Sequence, residues 1–154
     1  MRLYATILLA ILTLSGCANR NKADVKNIRP KSYTFRYVEA PALLSNEEQR
    51  LYMREHYWDK FDFSDTTFVT RADTSNMLTS FAVYAVGCVP DSLADKSMKS
   101  LMQKASKSKK MFEYFLFLAE TVLHDPNSQL RNDEKYIPIL ESAIRSQWLD
   151  EYER

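Results

Sequence analysis

The stretch Glu55-His56-Tyr57-Trp58-Asp59-Lys60-Phe61-Asp62-Phe63-Ser64-Asp65 sets four aromatic rings and one His among four carboxylates. That mixture suits three chemistries: metal ligation, acid–base hydrolysis, and stacking against a sugar or a peptide. For a metal, His56 and Asp59 stand at i, i+3 with Tyr52 one turn earlier, so a helix carries all three on one face. Two strong ligands fall short of the three that a catalytic metal normally takes from protein. The other His, His124, shares a strip with Glu113 and Glu120 at i, i+7, i+11 spacing. There only Glu120 and His124 come within reach of each other, which does not match the Glu-x-x-His repeat of di-iron bundles. No metal and no cofactor are expected.

For hydrolysis, Asp62, Asp65 and Glu120 supply carboxylates, but nothing in their spacing separates them from caps and solvated faces. The chain has no Gly-x-Ser-x-Gly turn and no Gly-rich phosphate loop. Cys88 falls near the centre of an apolar helix face, where a thiol is buried and inert rather than exposed and electropositive. No catalytic residue is expected. For stacking, Trp58, Phe63 and Phe68, with His56 at the edge, form the candidate ligand or partner surface. The competing reading is a corner in the chain, with Trp58 and Phe61 finishing a core face while Phe63 and Phe68 fold back from a turn rich in Asp, Ser and Thr. The pattern favours the corner.

The elements that would position these groups are helices. Only Gly16 and Gly87 occur in 154 residues, whereas all-β domains need Gly in their tight turns. The composition, rich in Leu, Ala, Lys, Glu and Met, predicts an all-α domain of about five helices. Ser45-Asn46-Glu47-Glu48 reads as a capping box, opening a helix from Asn46 to Lys60 whose Leu51, Met53, Tyr57, Trp58 and Phe61 share an arc with Arg50 and Arg54. Asp73-Thr74 precedes a helix over 75–89 with Met77, Phe81, Tyr84 and Cys88 on one side. After Pro90, Ala94, Met98, Leu101, Met102 and Ala105 form the next apolar arc. The lysines Lys96, Lys99, Lys104 and Lys107, with Lys109 and Lys110, read as a solvated face, and the functional alternative is contact with anionic headgroups. Residues 109–124 are apolar nearly all round, as expected of a central helix surrounded by others. Asn132 caps a last helix in which Tyr136, Ile137, Leu140, Ile144 and Trp148 keep helical spacing. Upstream, the alternating patch Tyr33–Val38 is suited to lying extended across the domain.

The N-terminus carries an address. Arg2 is followed by a largely apolar run to Leu14, too short for the roughly 20 residues of a membrane span, which identifies residues 1–16 as a secretory signal. Leu14-Ser15-Gly16-Cys17 resembles the lipobox of bacterial lipoproteins, which implies cleavage before Cys17 and acylation of its thiol, the palmitate-type anchor of a membrane lipoprotein. Residues 18–23 lack an acidic cluster, so the expected location is the cell envelope of a Gram-negative bacterium, facing the periplasm. The expected organisation is a signal over 1–16, a lipidated Cys and tether over 17–44, and one helical domain over 45–154. With Cys17 taken by lipid, Cys88 has no disulfide partner in the chain and no CxxC exists. A net charge of +1 gives no case for nucleic acid.

Three segments together carry a family likeness: Glu55–Asp65; Met111-Phe112-Glu113-Tyr114-Phe115-Leu116 with Leu118-Ala119-Glu120; and Asp125–Asn132 with Tyr136-Ile137-Pro138. This set resembles the uncharacterised DUF-type helical domain that precedes a thioredoxin-like domain in anchored lipoproteins of Bacteroides-type bacteria, over residues 35–154. The resemblance implies an architecture and a setting, and no catalytic residues. In those relatives the chain continues into a thioredoxin-like fold with a CxxC pair, while this sequence reads Leu149-Asp150-Glu151-Tyr152-Glu153-Arg154 there. The expectation is a non-catalytic, lipid-anchored module associated with a thioredoxin-like oxidoreductase, as its partner or its remnant. The alternative is a glycan- or peptide-binding lipoprotein using the aromatic region.

Overall fold

The computed structural model describes residues 32–149. The signal over 1–16, Cys17 and the first part of the tether lie outside them. The architecture is all-α, as the composition predicts: α1 (Asn46–His56), the single turn α2 (Phe68–Arg71), α3 (Thr74–Ala82), α4 (Ala94–Ala105), α5 (Lys109–Ala119) and α6 (Asp133–Ile144). Two of these widen into π-helical turns at their C-terminal ends, α3 over Val83–Cys88 and α5 over Glu120–His124. Pro90 then turns the chain, so that the segments Thr74–Cys88 and Asp91–Ala105 meet at 101°. Among the described residues no single helix is long and apolar enough to cross a membrane.

The helix starts follow from local chemistry. Ser45 Oγ accepts from the Glu48 N–H, and the Glu48 carboxylate accepts from the Ser45 N–H at 2.9 Å, the reciprocal arrangement of a capping box. Asp73 and Asn132 cap α3 and α6 by their own side chains alone, accepting from the Asn76 and Lys135 N–H groups. α5 is the central helix: Met111, Phe112, Tyr114, Phe115, Leu118 and Ala119 are buried, followed by Val122 and Leu123 in its π turn. The arc predicted for α4 is also inward, with Met98, Leu101, Met102 and Ala105 at 0–2% exposure.

Two predicted faces differ. α1 ends at His56 rather than Lys60 and buries none of its own residues, leaving Leu51 half exposed. Its apolar contribution comes from the turns that follow, where the Asp59 N–H reaches His56 O and the Phe61 N–H reaches Trp58 O. That change of path lets the adjacent side chains of Tyr57 and Trp58 both enter the core. On α6, Tyr136, Ile139 and Ala143 face inward, whereas Ile137, Leu140 and Ile144 are 38–52% exposed. α6 has two apolar arcs, and packing against α4 and α5 occupies only one.

The patch around Tyr33–Val38 does lie extended across the helices. Tyr33 forms an isolated parallel bridge with Ala72, and the Phe35 N–H donates to Asn76 Oδ1 at 2.7 Å. Phe35 itself is 3% exposed, so the packed body begins upstream of α1.

Candidate functional site

The corner after α1 is built from its own polar side chains. Asp62 Oδ1 accepts from the Ser64 N–H at 2.8 Å and from its hydroxyl at 2.6 Å. Asp65 Oδ1 does the same for Thr67, at 2.9 and 2.6 Å. These bonds, the hydroxyl of Ser64 or Thr67 foremost, hold both carboxyls below their ordinary range. A general acid at neutral pH needs the opposite shift. Asp62 and Asp65 therefore tie a turn together.

Around that turn the rings pack on one another. Trp58 has Phe35, Tyr57, Phe61, Tyr84 and Phe115 at centroid distances of 5.0–5.6 Å. Phe61 sits edge-on to Phe63 at 4.7 Å and to Phe68 at 4.9 Å. Trp58, Phe63 and Phe68 are only 4–5% exposed. Of the four residues read as a candidate ligand surface, these three are buried, because packing several aromatics together removes their large apolar area from water. His56 alone is not buried, its side chain standing half exposed. Its Nδ1 lies 2.7 Å from Asp59 Oδ2 and its ring 4.4 Å from that of Tyr52, the grouping that helical spacing implies.

The other candidate groups lie apart. His124 stacks on Tyr136, 4.6 Å between centroids and 10° between planes, and Glu113 faces Lys109 at 3.5 Å. Among the described residues no three His, Cys, Asp or Glu side chains gather as metal ligands would. Cys88 is 8% exposed, and burial pushes its thiol up to about 11, which suppresses the thiolate that nucleophilic chemistry requires.

Clefts open elsewhere. One of about 550 Å³ runs past Arg50, Leu51 and Val86 toward Lys135, and one of about 700 Å³ lies between α4 and the chain beyond α6, beside Trp148. A third, about 230 Å³, separates the end of α1 from α4 and is lined by Arg54, Trp58, Tyr84, Lys96, Ser97 and Lys104. None of His56, Glu120 and His124 lines any of these. From the sequence, Lys96 and Lys104 read as part of a solvated face. Their i, i+8 spacing with Ser97 and Ser100 between is the local signal, but the opposing wall of Arg54, Glu55 and Trp58 comes from residues 38 to 50 positions earlier.

The wider likeness of this architecture is specific. The crystal structure of a thioredoxin-like protein from Bacteroides caccae ATCC 43185 is similar over 79% of this chain, with 31% sequence identity and a TM-score of 0.68. This chain spans 44% of that protein's length, under half of it. No curated protein matches. The family model described as a domain of unknown function, DUF5106, matches residues 14–154. With the match running over most of its length, the chain belongs to the DUF5106 family.

Proposed function

We propose that this chain is a non-catalytic helical module, held at the cell envelope by lipid on Cys17 and facing the periplasm, that works beside a thioredoxin-like domain. The carrying observation is the partial match: this fold accounts for 44% of a chain described as thioredoxin-like. The described residues form helices and no strand beyond one isolated bridge, whereas thioredoxin-like redox motifs sit in βαβ patterns. This supports reading the likeness as one to a companion region of that protein. Redox chemistry would belong to the companion, since the described thiol, Cys88, is buried and lacks a neighbouring Cys.

The face offered to such a domain is the outer side of α6, where Ile137, Leu140 and Ile144 form an apolar stripe at i, i+3, i+7. Its occupant is the thioredoxin-like domain, because more than half of the Bacteroides caccae chain lies outside the region similar to this one. The test is to purify the tagged protein from membranes of its own cells and take the mass of the intact species and of whatever accompanies it. The reading expects a CxxC-bearing thioredoxin-like sequence, joined or associated, with association weakened by Ile137→Glu/Ile144→Glu. Recovery of the lipidated chain with no such sequence overturns it.

A further inference from the structure

The cleft between α1 and α4 combines free positive charge with unpartnered hydroxyls. Lys99 on α4 is held by Asp95 and Glu141, and Lys109 faces Glu113. Lys96 and Lys104, exposed on the cleft wall, have no acidic partner among the described residues. Opposite them stands Arg54, and the acid lining the cleft, Glu55, already accepts from the Arg54 guanidinium at 2.9 Å.

A second observation is independent of charge. Tyr84 is 4% exposed and Ser97 9%, yet neither side chain makes a hydrogen bond to another described residue, and neither polar atom is among those sealed from solvent. Both residues line this cleft. Trp58 Nε1 is sealed from solvent and unpartnered, as is Tyr114 Oη away from this cleft. The Tyr84 and Ser97 hydroxyls thus line the concavity with no protein group occupying them, open to water or to a ligand. The Tyr84 hydroxyl, like any phenol at neutral pH, is protonated and can donate.

We propose that this cleft binds a small molecule carrying phosphate groups. The wall presents donors almost throughout: two ammonium groups and the hydroxyls of Ser97, Ser100 and Tyr84, against a single carboxylate that is already engaged. A phosphate offers more acceptor oxygens than a carboxylate and takes charge-assisted bonds from Lys.

Isothermal titration with inorganic pyrophosphate at low ionic strength tests this, with succinate as the carboxylate control. Binding to phosphatidylcholine vesicles with and without phosphatidylglycerol separates a free ligand from a lipid headgroup. Pyrophosphate is expected to saturate one site, weakening about tenfold or more in Lys96→Ala/Lys104→Ala, less in Ser97→Ala, and not at all in Lys110→Ala. Both cleft lysines are exposed, so the double variant keeps its fold, which a thermal melt verifies. Vesicle binding with the same residue dependence assigns the phosphate to a headgroup; its absence assigns it to a soluble molecule. The proposal is overturned if neither probe binds saturably, if succinate binds as tightly as pyrophosphate, or if Lys110→Ala weakens binding as much as the double variant.

Discussion

Phe35 lies flat against Trp58, with ring centroids 5.1 Å apart and planes within 14°. The contact joins an extended segment to the corner after α1, across 23 positions of sequence, and it covers the centre of the aromatic cluster. Truncation to Phe35→Ala removes the stack and leaves a cavity beside Trp58, at an expected cost of about 3–5 kcal/mol. Urea unfolding followed by far-ultraviolet circular dichroism measures it. A loss well under 1 kcal/mol would show that the extended segment is not part of the cooperative unit.

The two apolar arcs of α6 separate cleanly by mutation. Ile139, at 0% exposure, is expected to lose about 2–5 kcal/mol on Ile139→Ala. The outer pair, 52% exposed at both Ile137 and Ile144, should change stability by no more than about 0.5 kcal/mol per site in Ile137→Glu/Ile144→Glu. Thermal melts of the isolated chain compare the two. Equal losses would place both arcs in the core.

Alkaline pH should weaken the fold. Burial raises Cys88 to about 11, and burial first, then neighbouring ionisable groups, raises Tyr84 and Tyr114 to about 12 and Tyr57 further. In the unfolded chain a thiol ionises near about 8.5 and a phenol near about 10. Above those values the unfolded state binds fewer protons than the folded one, so stability falls as pH rises. It is fully present below about pH 8 and declines progressively toward about pH 12. Urea midpoints across that range test the sign, and Cys88→Ala should flatten the first part of the decline. Native Cys88 should also react slowly with iodoacetamide at neutral pH, and quickly once urea exposes it.

Lys135 is 4% exposed, and its Nζ lies 3.2 Å from Asp91. Asp91→Ala leaves a buried ammonium without its counter-ion and is expected to cost about 1–3 kcal/mol. Lys135→Met removes the charge and keeps the packing, so it should fall within about 1 kcal/mol of the wild type. Urea midpoints rank the pair, and the reverse order would mean that solvent already compensates the ammonium.

Ser45, Asp73 and Asn132 announced three helix starts because a cap is decided within four residues of chain, and the α4 arc of Met98, Leu101, Met102 and Ala105 was legible because 3.6-residue periodicity is equally local. The near-absence of Gly and the apolar run over 109–124 likewise predicted an all-α body around α5. Tertiary structure alone decided that α1 stops at His56, that α6 turns Ile139 inward and Ile137 outward, and that Trp58, Phe63 and Phe68 pack around Phe61. It also decided that Arg54, Tyr84 and Lys104 wall one cleft. Apolar burial has no direction of its own: the sequence determined which faces are apolar and where helices begin, while the neighbours each face meets depend on contacts between residues far apart in the chain.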